Sequence, residues 1–287
     1  MSLQHCALAS VYYPRKLVKS VGRRLGLATS DHLRVLTYHD IPPFEKARFA
    51  KQLRWLARDW NFVSPEHFAD AISGGEPLRG RNLLLTFDDG FASNREVAEE
   101  ILNPLGISAV FFVVPDLVGV KNRDEARGFI ARHIELGTDT DLLPSHLHNM
   151  GWTDLETLLE QGHKIGNHSR THARLAQIGA REDLEVEIVG SAKTLSQRLG
   201  TPIEHFAYPF GNLDSFSEAA LSVARQLFRF IHSGLRGNNA GGVSPLAIRR
   251  DAIQAKDPIP LVGSFVEGTA DFRYAKARAR LDEWAIG

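Results

Sequence analysis

Short apolar runs alternate with helical patterns along the chain from residue 33 onward. Seven of these runs are rich in β-branched and aromatic residues and are bounded by polar or turn residues, which predicts buried strands. They lie at 33–40, 82–90, 108–115, 163–169, 204–211, 228–234 and 246–253. Between them, apolar residues recur at helical spacing, as in the stripe Phe49, Leu53, Leu56 and Trp60. This alternation indicates βα units and a mostly parallel sheet.

About seven strands in βα units favour a closed or nearly closed barrel, with a doubly wound open sheet as the alternative. We expect residues 31–287 to form this α/β domain. Segment 116–151 is long for a connection inside a compact domain, and it carries a polar helical pattern at 122–136. Long connections are often functional lids, so two interpretations stay open, a lid insertion and a surface insertion that varies between relatives.

The first 30 residues have a different pattern. Their apolar stretch at 6–13 is short and is followed, not preceded, by basic residues, so we expect no signal peptide. Over 11–27, basic residues interleave with apolar ones, which predicts a basic amphipathic N-terminal arm over 1–30. The arm either packs on the domain or lies on an anionic membrane surface. We expect a cytoplasmic protein, peripheral to the inner membrane if the arm binds lipid.

Charge and composition narrow the function. The 287 residues include 34 Lys plus Arg and 34 Asp plus Glu, and this zero net charge argues against a general nucleic-acid binder. The one cysteine, Cys6, excludes an intrachain disulfide framework and cysteine-rich zinc sites. Twelve histidines are the compositional hint, because histidine is the commonest metal ligand and acid–base group.

Polar side chains end most of the predicted strands. In parallel α/β folds the active site collects at the carboxyl ends of the strands, so these residues are expected to converge. They are His39, Asp88, Asp89, His168, Tyr208, His232, Arg249 and Arg250.

Two motifs among these residues indicate a metal. Adjacent carboxylates such as Asp88 and Asp89 need a cation or a shared proton when buried, and a metal would leave one of them free as a base. His168 and His172 are four residues apart, a spacing that lets both bind one ion. One Asp with two His suits Zn²⁺ in a catalytic site. Separately, each motif also fits a solvated turn or surface histidines.

The motifs TFDDG (86–90), HSRTH (168–172) and FAYPFG (206–211) resemble the first three motifs of the polysaccharide deacetylase family. The family is also called NodB-homology or carbohydrate esterase family four, and the likeness covers roughly residues 33–253. It implies a distorted (β/α)7-type barrel as a single catalytic domain. It also implies metal-dependent removal of N- or O-acetyl groups from sugars.

The resemblance assigns roles by motif position. Asp88 would be the catalytic base, and Asp89, His168 and His172 would hold one divalent metal, zinc foremost, with cobalt or nickel as alternatives. The backbone N–H of Phe210 would help hold the oxyanion.

This sequence departs from the family pattern at three places, one of which is a later Asp-Trp motif that is not recognisable here. Ala207 stands where the family often has an arginine that orients the base, and Arg249 or Arg250 is the candidate substitute. The family's late Leu-X-His motif, which supplies the general acid, has no match. His232 and His39 are the candidate acids, because both end predicted strands. Tyr208, Arg249 and Arg250 are the predicted substrate contacts.

The predicted function is therefore a metal-dependent hydrolase that removes acetyl groups, N- more than O-linked, from a sugar or polysaccharide precursor. Two alternatives remain at this point. One is an amide hydrolase of the same superfamily that acts on a non-sugar substrate such as a cyclic ureide. The other is a catalytically weak glycan-binding partner. An acetylated sugar or glycan is the expected partner, and the sequence does not predict an oligomeric state.

Overall fold

Eight parallel strands build the central sheet of the computed structural model, which describes residues 3–10, 12–14 and 31–287. The strands are β1 His32–Tyr38, β2 Asn61–Phe62, β3 Arg81–Phe87, β4 Ala109–Val113, β5 Lys164–Asn167, β6 His205–Ala207, β7 Phe230–His232 and β8 Asp251–Ala252. Each of the seven predicted runs overlaps one of them. The two-residue β2, half exposed, was not predicted, because it is too short to show a periodic pattern.

Helices connect the strands and cover the outside of the sheet. They are α1 Leu3–Ser10, α2 Lys46–Leu56, α3 Pro65–Ile72, α4 Ala92–Val97, α5 Pro115–Val118, α6 Arg123–His133, α7 Trp152–Glu160, α8 Arg181–Glu185, α9 Ser191–Leu199, α10 Glu218–Ala224, α11 Ile259–Val266 and α12 Ala275–Ile286. Single π-helical turns at Ala98–Leu102 and Val186–Gly190 follow α4 and α8.

The sheet closes on itself through the segment before β8. The strand order is β7-β6-β5-β4-β3-β1-β8, with β2 beside β3. At one edge, the Ile248 N–H donates to the Ile231 carbonyl at 2.9 Å, and the Ser233 N–H donates to the Ile248 carbonyl at 2.7 Å. At the other edge, β8 pairs with β1. The fold is thus a single-domain, distorted (β/α)7-type barrel, as predicted, and the doubly wound alternative is wrong.

Alternate strand residues fill the inside of the barrel with a compact apolar cluster. It includes Leu33, Val35, Leu84, Val110, Phe112, Phe230 and, from α3, Phe68. Gly166 of β5 makes room for one of these rings, because a Cβ at Gly166 would lie 2.5 Å from the Phe112 ring. The larger cluster, between the sheet and the outer helices, holds most of the remaining buried apolar residues.

A buried ion cluster fixes β8 against β1. The Arg34 guanidinium donates two hydrogen bonds to Asp251, at 2.8 and 2.7 Å, and a third to Asp271 at 2.7 Å. Burial of these charges is tolerated because each is paired and hydrogen-bonded. The cluster thereby fixes the backbone at Asp251, the residue that follows Arg250.

The described part of the N-terminus packs on α11. The Ser264 hydroxyl donates to the Leu8 carbonyl at 2.6 Å, and the Tyr12 ring lies where a Cβ on Gly263 would be. The predicted amphipathic stretch 11–27 lies, apart from 12–14, outside the described residues. Within the described part, no helix combines the length and apolar character needed to cross a bilayer.

Candidate active site

Strained backbone marks the loops that follow β3, β5 and β6. Within the described part of the chain, the non-glycine residues with positive φ are Asp89 (74°), Ser169 (60°), His172 (63°) and Phe210 (63°). Such conformations cost free energy, and they persist where surrounding structure enforces them, which is common at active sites. All four lie in the motifs that the sequence singled out.

Asp89, His168 and His172 form a buried three-ligand cluster. The Asp89 Oδ1 atom lies 3.5 Å from His168 Nε2 and 3.4 Å from His172 Nε2. Atoms that bind a tetrahedral zinc ion at about 2.0–2.1 Å lie about 3.3 Å from one another. Asp89 Oδ1 is buried and has no hydrogen-bond partner among the described residues, so its charge is unsatisfied without a cation. The donor set therefore fits a divalent metal.

Backbone carbonyls set the tautomers of both histidines. His168 Nδ1 lies 2.6 Å from the Ala207 carbonyl oxygen, and His172 Nδ1 lies 2.8 Å from that of His133. A carbonyl only accepts hydrogen bonds, so both Nδ1 atoms carry hydrogen and donate. The two Nε2 lone pairs consequently face Asp89, which is the orientation that a metal requires.

The charge states of Asp89 and His172 also suit metal binding. Burial lowers the pKa of His172 to about 4, so the ring is neutral at pH 7. Burial alone would raise the pKa of Asp89, but the contact with His168 and the charge of His39 hold this pKa well below its usual range. Asp89 is thus ionised, and His172 offers a free lone pair.

Arg250 clamps the second carboxylate, that of Asp88. Its Nη1 donates to Asp88 Oδ1 at 2.6 Å and its Nη2 donates to Oδ2 at 2.9 Å. Arg250 is itself held by the Ser233 carbonyl at 2.9 Å and the Thr37 hydroxyl at 3.0 Å. Burial raises the pKa of Asp88, but the charges of Arg250 and His168 outweigh burial and hold it below its usual range. The two candidate arginines therefore differ, and Arg250 is the one that the structure places on Asp88.

The two candidate acids occupy different environments. His39 is exposed at the end of β1, and its charge acts on both Asp88 and Asp89. His232 is fully buried among Phe68 and Phe112 inside the barrel, and its Nε2 lies 3.0 Å from His205 Nδ1. Burial lowers the pKa of His232 well below its usual value. The prediction that His232 serves as an acid is corrected, because a buried neutral ring does not reach substrate.

Two predicted substrate contacts point elsewhere. The Tyr208 ring is fully buried and stacks on Phe216 with ring centroids 4.1 Å apart. Arg249 binds Asp282 of α12 at 2.9 Å and the Asn238 carbonyl at 3.0 Å. Both predictions are therefore corrected. The sequence could not reveal these directions, because period-two alternation shows which residues share a face of a strand but not which face lines the site.

Phe210 lies beside the metal cluster. Its ring centroid is 4.7 Å from that of His172, and the guanidinium carbon of Arg174 lies 3.9 Å from the Phe210 centroid. The sequence analysis did not single out Arg174, because a lone arginine two positions after a histidine carries no pattern. The oxyanion role of the Phe210 N–H stays a prediction.

The sequence analysis also missed a long-range hydrogen-bonded pair. Asp40, which follows β1, binds His146 Nε2 at 2.8 Å, and the Ser93 hydroxyl donates to its other oxygen at 2.7 Å. This pair joins segment 116–151 to the barrel. Its partners are 106 positions apart, so no local pattern reports it.

Comparison with known proteins identifies the family. The sequence model of the polysaccharide deacetylases matches residues 75–228, which is more than half of the chain. The chain therefore belongs to the polysaccharide deacetylase family, and the resemblance seen in its motifs is confirmed. The matched range contains both carboxylates, both histidines and Phe210, but not Arg250.

Individual relatives are more distant. The chain is 20% identical over 200 residues to YxkH of Bacillus subtilis (strain 168), whose name places it among the polysaccharide deacetylases. The match covers 68% of this chain and 61% of YxkH, so the chain spans less than two thirds of that relative.

Solved structures share the fold. IcaB from Ammonifex degensii is similar over 83% of this chain and 98% of its own, with a TM-score of 0.67 and 23% identity. The Streptococcus pyogenes deacetylase PplD, in complex with acetate, is similar over 83% of this chain and 99% of its own, with a TM-score of 0.63 and 21% identity. At these identities the likeness shows the fold alone.

Proposed function

We propose that this protein is a metal-dependent hydrolase that removes acetyl groups from a sugar or polysaccharide precursor. The observation that carries the proposal is the convergence of Asp89, His168 and His172 on one point, with the ionised Asp88 beside them. Family membership supports the reaction class. The acetate in the PplD structure is the product that deacetylation releases, which agrees with this assignment.

Asp89, His168 and His172 would hold one divalent ion, with zinc as the proposed metal because two imidazoles and a carboxylate are typical zinc donors. When bound, such an ion supplies Lewis acidity, which acidifies water and polarises a carbonyl group. Cobalt and nickel accept the same donor set.

Asp88 is the proposed general base. Arg250 occupies both of its oxygens and thereby fixes the plane of the carboxylate, with Oδ2 3.9 Å from His168 Nε2. Because the pKa of Asp88 is lowered, Asp88 is ionised at neutral pH and can accept a proton from the attacking water. The Phe210 N–H is proposed to donate to the oxyanion that develops on the acetyl carbonyl.

His39 is the proposed general acid. It is exposed at the carboxyl end of β1, and its charge acts on both carboxylates of the site. An amine leaves poorly unless it is protonated, whereas an alcohol leaves more easily. A histidine at this place therefore favours N-acetyl over O-acetyl sugars as substrates.

The test combines metal content with turnover. The wild-type chain should bind about one Zn²⁺ and release acetate from an N-acetylated oligosaccharide, because three protein ligands are present. Changing His172 to Ala should abolish both, whereas His67→Ala, at an exposed position of α3, should change neither. Turnover of a cyclic amide instead of the sugar would contradict the proposed substrate, and full zinc occupancy in His172→Ala would contradict the ligand set.

A further inference from the structure

Segment 116–151 folds around an apolar cluster of its own. The cluster combines residues of the segment with two that belong to the barrel loops: Phe91, Val114, Leu117, Ala126, Ile130, Ala131, Leu143 and Leu147. Across the segment, the Arg127 guanidinium donates to the carbonyl groups of Thr140, Leu143 and Pro144. The segment is therefore held together by its own apolar cluster and by hydrogen bonds between its two halves.

One end of the segment pairs with the chain that follows Asp89. The Met150 N–H donates to the Gly90 carbonyl at 2.8 Å, and the Ala92 N–H donates to the His148 carbonyl at 2.8 Å. Phe91 and Asn149 form an antiparallel bridge between these two bonds. The loop that carries the metal-binding carboxylate is thus held by the segment.

The other contact reaches a metal-binding histidine directly. Helix α6 ends at His133, and the His133 carbonyl oxygen accepts the hydrogen bond from His172 Nδ1 at 2.8 Å. The last carbonyl groups of a helix lack partners inside the helix and lie at the negative end of its dipole. Such an acceptor fixes the orientation of the imidazole and raises the basicity of its Nε2 atom.

We propose that segment 116–151 is a positioning element of the metal site, acting through the carboxyl end of α6 on His172. This role rests on the metal site proposed above. The segment then supports the metal ligands, and neither a lid over the substrate nor a variable surface insertion, the two interpretations left open by the sequence, describes this role. The ligand that this role concerns is the divalent cation alone. The affinity of the protein for the metal, measured without turnover, should therefore reveal the role.

The test measures Zn²⁺ affinity of the full chain by competition with a chromogenic chelator. In Ile134→Pro, the proline removes the N–H that binds the Ile130 carbonyl and restricts the backbone of His133. Loss of an outer partner of a ligating histidine typically weakens metal binding 10- to 100-fold, and a loss of about that size is expected. The matched control is Leu136→Pro, at an exposed position two residues further along, which should keep wild-type affinity.

The Co²⁺ absorption spectrum of each variant provides a second readout, because it reports ligand geometry. Ile134→Pro should alter this spectrum, whereas Leu136→Pro should not. If the melting temperature shows that Ile134→Pro does not fold, His133→Gly replaces it, with its neighbour Arg132→Gly as the control for glycine in the last helical turn. Glycine at 133 loosens the carbonyl that His172 contacts, so it alone should weaken Zn²⁺ binding.

The outcomes separate the two proposals. A folded Ile134→Pro or His133→Gly chain with wild-type Zn²⁺ affinity would overturn the positioning role and leave the metal site intact. A wild-type chain that binds no divalent metal would overturn the metal site itself. Weaker binding in the test variants with unchanged controls supports the positioning role.

Discussion

At the scale of single residues, a guanidinium holds Asp88, that of Arg250, although Ala207 stands where the family often has an arginine. This guanidinium comes from beside β8 and binds both carboxylate oxygens. The two residues are 162 positions apart. Only closure of the barrel brings them together, so the motif-based reasoning left Arg249 and Arg250 equivalent.

Arg250→Lys should lower kcat by about tenfold or more and leave the zinc content unchanged. A lysine keeps the charge but cannot form the two parallel hydrogen bonds that fix the carboxylate plane. The neighbouring Arg249→Lys is the matched control, because Arg249 binds Asp282 on the outer side. Equal losses of kcat in both variants would show that the clamp on Asp88 has no special role.

Asp88→Asn and Asp89→Asn should separate the two adjacent carboxylates. An amide at 88 has a similar shape but cannot accept the proton, and loss of a general base costs about 100- to 10,000-fold in rate. Asp88→Asn should therefore retain zinc and lose turnover, whereas Asp89→Asn should lose zinc. Metal analysis alongside the assay decides, and the reverse pattern would exchange the two roles.

His39→Ala and His232→Ala should differ in how they affect two leaving groups. With His39 as the acid, its removal should lower kcat/KM on an N-acetyl substrate by about tenfold or more, with a smaller loss on the matched O-acetyl substrate. His232 is buried, so its truncation should lower activity on both substrates equally, through the fold. A selective loss of amide hydrolysis in His232→Ala would restore His232 as the acid.

At the scale of elements, the strands were predictable, whereas the direction of several side chains was not. Buried parallel strands appear in a sequence as short apolar runs, and each predicted run overlaps an observed strand. Their polar ends located the site, because the carboxyl ends of parallel strands share one edge. The same alternation could not say that Tyr208 packs under the helices or that His232 lies inside the barrel. Those facts depend on which face of the sheet is concave.

A small residue inside the barrel gives a test at this scale. Gly166→Ala should destabilise the fold by about 1–3 kcal/mol, because its Cβ would overlap the Phe112 ring in a closely packed interior. Urea unfolding measures this difference. Gly179→Ala serves as the control, since its Cβ would meet nothing within 4 Å. A neutral effect of Gly166→Ala would mean that the barrel interior yields to added volume.

At the scale of the whole molecule, buried neutral histidines link the fold to pH. Burial lowers the pKa of His163 and His172 to about 4 and that of His205 to about 3, and it lowers the pKa of His232 strongly. His168 opposes this group, because Asp88 and Asp89 raise its pKa. The unfolded chain, with ordinary histidines, binds more protons than the folded chain between about pH 6.5 and pH 4. The contribution of these histidines to the free energy of unfolding is therefore fully present above pH 6.5 and is lost as the pH falls towards 4.

His163 offers a way to measure one share of this effect. Its Nδ1 accepts from the Ala109 N–H at 3.1 Å and its Nε2 lies 3.0 Å from Asn103 Oδ1, an arrangement that requires a neutral ring. In metal-free protein, the free energy of unfolding from urea titrations should fall between pH 6.5 and pH 4.5. Each such histidine contributes at most about 1.4 kcal/mol per pH unit to the slope of the free energy of unfolding against pH. In His163→Asn the amide oxygen can still accept from Ala109 but does not titrate, so the slope should decrease by up to that amount. An unchanged slope would show that His163 does not take up a proton on unfolding.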